Sequence, residues 1–336
     1  MDRRLHQLTE WALRFVSNQG YLAGSGLLIP VSEDASFRRY YRLAGSDCGC
    51  VFVDAPPAKE DLKSFIKITE LLNLEKVRVG KVRGQDLKSG FLALDDLGDT
   101  LLLEDLHADK QRVRDRLSQA SQEILKMQLI TGSLPLYTRQ LLRDEMELFP
   151  HWFLTMQLQL KISTQWQKLF SSVVEMLIEN AHNQPQTFVH RDFHSRNIML
   201  TEHNGMAVID YQDAVIGPIT YDLVSLLKDC YFRLERADVI YLVKANWTLL
   251  RDRHPVGLGS FPEFLRWFDL MGLQRHLKCA GIFCRLHLRD GKPGYLADVP
   301  LVLDYILEVC ELYEPLNDFG TFLRDNVISQ VRDKLI

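Results

Sequence analysis

The sequence has no CxxC pair among its six cysteines (Cys48, Cys50, Cys230, Cys279, Cys284, Cys310). That excludes a zinc knuckle and a disulfide scaffold and fits free thiols in a reducing compartment. Nor does it have a large surplus of either charge: 40 Lys+Arg stand against 44 Asp+Glu, a net of −4. This balance gives no global attraction for nucleic acid or an anionic membrane, so neither is an expected partner. No window approaches the roughly 20 apolar residues that cross a bilayer. The opening "MDRRLHQLTEWALRFVSNQG" lacks the unbroken apolar stretch of a signal peptide. A cytoplasmic location is expected. Internal repeats and low-complexity segments are also missing. What is present is ordinary globular composition, 46% apolar and 25% charged over 336 residues. Single cores stop growing at roughly 250–300 residues, so two domains or lobes are expected.

Two textures divide the chain. Leu5, Leu8, Trp11, Ala12 and Phe15 recur at helical spacing before Asn18 to Gly20, which predicts an amphipathic helix with a terminator. From Leu27 to Val53 the pattern alternates and is rich in Val, Ile, Phe and Tyr, broken by "SEDAS" and "GSDCG". Three short antiparallel strands are predicted there, ended by "DAPPAKED", whose prolines cannot donate to a ladder. A helix follows over Asp61–Leu74, and "GFLALDDLGD" reads as a buried strand leading into a connector. Downstream the pattern is helical over about 101–131, 138–160, 164–182, 221–236, 238–252, 261–275 and 296–315. Strand-rich front and helical rear predict a two-lobed α+β architecture, with residues 1–94 forming the first lobe and 95–336 the second.

One island breaks the helical rear: "TFVHRDFHSRNIMLTEHNGMAVIDYQDAVIGPITYDL". Thr187–Val189, Ile198–Leu200 and Met206–Ile209 read as short strands with polar residues on the loops between them. His190, Asp192 and Asn197 lie on one such loop, and Asp210 closes an apolar strand. Phosphoryl transfer needs a carboxylate to take a hydroxyl proton, and an amide oxygen with a second carboxylate to hold magnesium across nucleotide phosphates. Asp192 is the candidate base, Asn197 and Asp210 the candidate metal ligands, and His190 a brace behind the loop. His194 and Arg196 either touch sugar or phosphate or brace the loop. Asp213 is a weaker candidate for the substrate, and Asp222 opens a helix, where capping alone accounts for an acid.

The pattern HxDxxxxN followed by "VIDYQD" resembles the aminoglycoside phosphotransferase branch of the protein-kinase-like fold. "SEDASFRRYYR", "VDAPP", "LALDDLGD", "LLRDEMELFPHW", "VHRDFHSRNIML", "IDYQDAVIGPITYDLVSLLKD" and "RDGKPGYLADVP" narrow the resemblance to the bacterial cell-wall amino-sugar kinases. It implies ATP and Mg2+ as cofactors, an amino-sugar acceptor phosphorylated at its anomeric hydroxyl, and a sugar 1-phosphate for peptidoglycan recycling. By the same resemblance the hairpin "VSEDASFRRYYRL" stands where kinases carry a glycine-rich loop. Ser36 and the amides around Phe37 would then meet phosphate oxygens, and Arg38 or Arg39 would supply positive charge or simply face water. The connector at Leu94, Asp95 and Leu97 would bind adenine through backbone groups. One departure stands out. Kinase-like folds carry a lysine on the third strand, and here Asp54 lies near that position. Lys59, Lys63 and Lys67 follow at helix-compatible intervals as candidate partners for it.

For the acceptor, "RDEMELFPHWF" sets Glu145 and Glu147 near Phe149, Trp152 and Phe153. Sugars suit such a mixture, their hydroxyls meeting carboxylates and their apolar faces aromatic carbon; an ordinary amphipathic helix is the alternative. Arg285, Arg289 and Asp290 either frame the pocket or pair with one another. The partners expected are ATP and a small amino sugar, and the chain is expected to be a monomer. Two alternatives remain open: a kinase for an aminoglycoside, choline or homoserine-like acceptor, and a nucleotide-binding pseudokinase acting as an interaction module.

Overall fold

The structure is a computed structural model and describes residues 2–32, 37–201, 205–253 and 257–335. The chain divides into two compact units, residues 1–100 with 198–212, and residues 101–197 with 213–336.

In the first unit Asp2 starts helix α1 (Arg3–Asn18) by accepting the N–H groups of Arg4 and Leu5, which satisfies two of the orphan donors at a helix start. Leu8, Ala12 and Val16 form its buried stripe. Five strands follow: β1 (Leu28–Ser32), β2 (Arg39–Leu43), β3 (Cys50–Asp54), β4 (Val82–Asp86) and β5 (Phe91–Asp95). They pair antiparallel in the order β1-β2-β3-β5-β4. Tyr41 pairs with Phe52 and Phe52 with Ala93, so one face of the pleat brings these residues to the α1 stripe. Burying side chains of this size is worth roughly 1.5–3 kcal/mol each for Leu, Val and Phe. Packing rather than propensity therefore holds a helix whose other face is polar. Helix α2 (Leu62–Leu74) buries Leu62, Phe65, Ile68 and Leu72, again a helical period.

Strand β4 is absent from the sequence reading because "VRGQD" has neither alternation nor β-branched density. Asp54, fully buried at the end of β3, is not paired by the lysines expected after it. Its partners are Arg4 from α1 and Arg39 from β2, which no local spacing could indicate.

In the second unit α9 (Phe261–Leu288) is the central element, buried almost continuously from Phe268 to Cys284. The spacing in the sequence predicts a helix over about 261–275 only. It runs on through Gly272 and Gly281 with no proline before Pro293 to stop it, and Gly281 lies where a Cβ would come within 2.4 Å of the Leu148 backbone. Around α9 lie α5 (Arg139–Met146), α6 (Thr164–His182), α7 (Tyr221–Leu227), α8 (Arg236–Arg253) and α10 (Val299–Leu312). Three other predicted helices are corrected. Residues 101–131 form α3 (Leu102–Ala108) and α4 (Val113–Met127), with Asp109 closing the turn between them on the Gln111 N–H. The stretch 138–160 changes after α5 into a π-helix, Phe149–Gln157, at whose start Pro150 has no N–H to continue an α ladder. Helix α7 stops at Leu227 instead of 236 because the following residues bond to the loop described next. The strands β6 (Gln186–Val189), with β9 (Val215–Pro218), belong to this unit, whereas β7 (Ile198–Thr201) and β8 (Gly205–Val208) belong to the first. Strand β9 was not foreseen because its four residues include Gly217 and Pro218.

Candidate active site

His190–Asn197 leave the end of β6 as a loop that closes in a 3-10 turn at Ser195–Asn197. Arg191 holds a left-handed backbone, φ 77°, which for a residue with a Cβ persists only when neighbours enforce it. They do so through long-range bonds. The Asp222 carboxylate accepts the N–H groups of His190 at 2.7 Å and Arg191 at 3.1 Å. Arg275 from α9 donates to the Arg191 carbonyl at 2.8 Å. Asn197 Nδ2 donates to the Asp192 carbonyl at 3.0 Å. Asp229, just past α7, accepts from the Ser195 N–H and Oγ–H at 2.9 and 2.5 Å and from the Tyr231 N–H at 3.0 Å. His190 is fully buried, its ring edge-on to Phe193 at 5.7 Å. Asp222 does more than open a helix: it is buried, and burial pushes its carboxyl up to about 6 against the pull of His190 and the two loop amides.

The Asp192 carboxylate is part-exposed with Arg275 Nη1 at 3.5 Å. Burial favours its neutral form, but Lys278 and Arg275 outweigh that and hold it well below the usual carboxylate range. It is therefore charged, and able to accept a proton, throughout the neutral range. His194 is driven down to about 3 by burial and by Arg275, so its imidazole is neutral; its ring meets Tyr231 edge-on at 5.2 Å.

Glu145 is not exposed to an acceptor. It is buried, with Arg191 and Lys278 (3.2 Å) on one oxygen and Tyr137 and Gln274 (3.4 Å) on the other. The basic pair outweighs burial and holds its carboxyl down. Glu147 is exposed and Trp152 half-buried on the π-helix, its ring edge-on to His151. Asp213 is exposed, and its carbonyl accepts from Arg191 at 3.4 Å. Arg289 is exposed and pairs with the adjacent Asp290 at 2.7 Å. Sequence reasoning missed Asp229, Arg275, Lys278 and Tyr137. Only the acid within "LLKDC" and the basic residues in "LQRHLKC" of α9 offered any signal, with no spacing to attach them to the loop.

In the first unit Arg38 is buried, 3.2 Å from Glu60, 3.6 Å from Asp210 and 2.7 Å from the Gln212 side-chain oxygen. Asp210 has a left-handed backbone, φ 63°, and its Oδ1 accepts from Gln212 Nε2 at 2.8 Å. Tyr211 between them stacks on Phe65 at 5.1 Å and shares a 2.9 Å hydrogen bond with Thr69, which ties this segment to α2. Arg39 is committed to Asp54 and Asp2. Phe37 is exposed under Lys59 Nζ at 3.9 Å, and Ser36 lies outside the described residues. Leu94 is buried, while Asp95 and Leu97 line a cleft of ≈ 480 Å³. Of the connector amides, those of Asp95, Asp96 and Gly98 donate to Lys81, Gly49 and the Asp96 carboxylate. The Leu97 N–H has no partner among the described residues.

Asn197 Oδ1 and the Asp210 carboxylate are hard oxygen donors, the type magnesium takes. The Asn197 amide nitrogen is engaged by the Asp192 carbonyl, which leaves its oxygen for a ligand. Among the described residues no group of three or more His, Cys, Asp or Glu could hold a metal.

The fold is the protein-kinase-like fold of aminoglycoside phosphotransferases and choline kinases. An ADP-bound aminoglycoside phosphotransferase APH(2'')-Ib superposes with a TM-score of 0.59 at 14% identity, covering 92% of this chain and 99% of that one. An ethanolamine kinase of Plasmodium vivax gives 0.58 at 10% identity over 83% and 81%. Residues 28–256 match the Phosphotransferase enzyme family, and the chain belongs to that family. Among curated relatives, the N-acetylmuramate/N-acetylglucosamine kinase of Pseudomonas aeruginosa is 40% identical over 334 residues, 96% of each chain. The protein of the same name from Neisseria meningitidis serogroup B is 39% identical, covering 85% of this chain and 86% of that one. No helix among the described residues is long and apolar enough to cross a membrane.

Proposed function

We propose that this chain is an ATP-dependent kinase that phosphorylates the anomeric hydroxyl of N-acetylmuramate and N-acetylglucosamine. The observation that carries the acceptor is the similarity to kinases of that name along 96% of both chains. In this reading the anomeric oxygen attacks the γ-phosphorus, its proton passes to Asp192, and ADP leaves. The anomeric hydroxyl is more acidic than other sugar hydroxyls, so a weak base suffices: Asp192 is ionised and open to the proton, and takes it as the new O–P bond forms. Most of the rate then comes from alignment and electrostatics. Asn197 and Asp210 are the side chains that would hold magnesium, whose chemistry there would be to neutralise charge on the phosphate oxygens. Arg38, tethered by Glu60, takes the phosphate-binding part that a third-strand lysine plays elsewhere, since Asp54 is occupied by two arginines. The Leu97 N–H is the connector's donor for adenine.

A cationic acceptor such as an aminoglycoside would need unpaired acids, and the commitment of Glu145 to Arg191 and Lys278 argues against one. The pinned loop and charged Asp192 argue against a pseudokinase. The test is radiolabelled ATP offered to amino sugars, choline and kanamycin. Label should pass to an amino sugar as an acid-labile, alkali-stable product, and Asp192→Asn should abolish transfer while nucleotide still binds. Near-normal turnover by that variant contradicts the assignment of the base.

A further inference from the structure

The cations beside Asp192 are mostly spoken for. Arg191 and Lys278 share Glu145, and Arg275 bonds the Arg191 carbonyl and faces Asp192 itself. Arg196 differs. It is exposed, and among the described residues its guanidinium has no hydrogen bond and no ion pair. It lies 4.5 Å from the centre of the Tyr231 ring and 5.8 Å from that of Tyr295. Stacking occupies the faces of a guanidinium and leaves its N–H edge open, the geometry that grips a carboxylate with two parallel bonds.

The position is also fixed in advance. One oxygen of Asp229 holds Ser195, the residue before Arg196, and the other holds Tyr231, on which Arg196 stacks. Less side-chain freedom is then lost on binding. Buried Phe283 lies 6.1 Å from Tyr231 and 5.6 Å from Tyr295 and backs these two half-buried rings, whose outer edges offer aromatic carbon to the C–H face of a sugar. His194 Nδ1 is buried without a partner at its edge, a polar atom that an acceptor hydroxyl would satisfy. Asp298 is the acid that feels the Arg196 charge, but it stays beyond ion-pair distance.

We infer that Arg196 recognises a carboxylate on the acceptor, the lactyl group that distinguishes N-acetylmuramate from N-acetylglucosamine; this rests on the amino-sugar kinase reading above. Because Arg196 is exposed, water solvates it when the neutral sugar binds, and no desolvated charge is left unpaired. One side chain thus favours the acidic sugar without forbidding the neutral one.

Steady-state kinetics of the full chain test this with N-acetylmuramate, its lactyl methyl ester and N-acetylglucosamine. A charge-assisted bidentate pair corresponds to roughly 10- to 100-fold in affinity. In Arg196→Gln the ratio of kcat/KM for N-acetylmuramate to that for N-acetylglucosamine should fall by about that factor, through KM. Arg196→Lys should keep part of the ratio, and the preference of the wild-type chain for acid over ester should vanish in Arg196→Gln. Equal losses on both sugars overturn the inference, as does a ratio that shifts in Arg285→Gln but not in Arg196→Gln. Transfer to neither sugar by the wild-type chain overturns the kinase reading, and this inference with it.

Discussion

Replacing Glu145 by Gln keeps the size of the side chain and removes one buried negative charge. Two basic groups, Arg191 and Lys278, lose the carboxylate they share, and the Tyr137 hydroxyl and Gln274 amide meet an amide instead. Removing one partner from a buried ion pair costs about 3–5 kcal/mol, because the remaining charge stays desolvated. At about 2–4 °C per kcal/mol for a unit of this size, Glu145→Gln should melt about 6–20 °C below the wild type in calorimetry or circular dichroism. Arg191 precedes the base and holds a left-handed backbone, so freeing its side chain should lower kcat more than it changes the KM for sugar. Protonation should imitate the substitution. The carboxyl is held below its ordinary 4.5 in the folded chain, so its stabilisation is complete above about that pH and is lost as pH falls through the lower folded value. Wild type and variant should converge in melting temperature as the solution is acidified. A variant with unchanged melting and a raised sugar KM refutes this account and restores the direct sugar contact read from sequence.

Two further substitutions separate ion pairs of different purpose. Arg38→Met should raise the KM for ATP by about 10- to 100-fold, the worth of a charge-assisted phosphate contact, with Arg38→Lys recovering part; isothermal titration with ATP would show it, and unaltered nucleotide affinity would exclude Arg38 from the phosphates. Asp54→Asn should instead cost about 2–4 kcal/mol of stability with nucleotide affinity retained, because Arg4 and Arg39 are part-exposed and can return partly to water; a loss of ATP binding without loss of stability, seen by denaturant titration, would reverse that reading.

Much of the local structure is legible in the residues. Alternation and turn signals placed β1, β2, β3 and β5, and helical spacing placed α1, α2 and α6, because period and capping are properties of adjacent residues. The spacing of His190, Asp192 and Asn197 put them on one loop between two strands for the same reason. Where local signals conflict with packing, the reading slips: α9 continues through Gly281 because its neighbour needs that close approach, and α7 ends early because Asp229 is required by Ser195 and Tyr231.

Sequence alone determined which chemistry-bearing groups the chain possesses and how they are spaced along it. Only the tertiary structure decided which charges meet. Asp222, Asp229 and Arg275 reach the loop from 31 to 84 positions away, Arg4 crosses 50 positions to Asp54, and Glu145 turns inward to Arg191 and Lys278. An ion pair depends on distance in space and on exclusion of water. Neither is encoded by spacing along a chain until packing closes it.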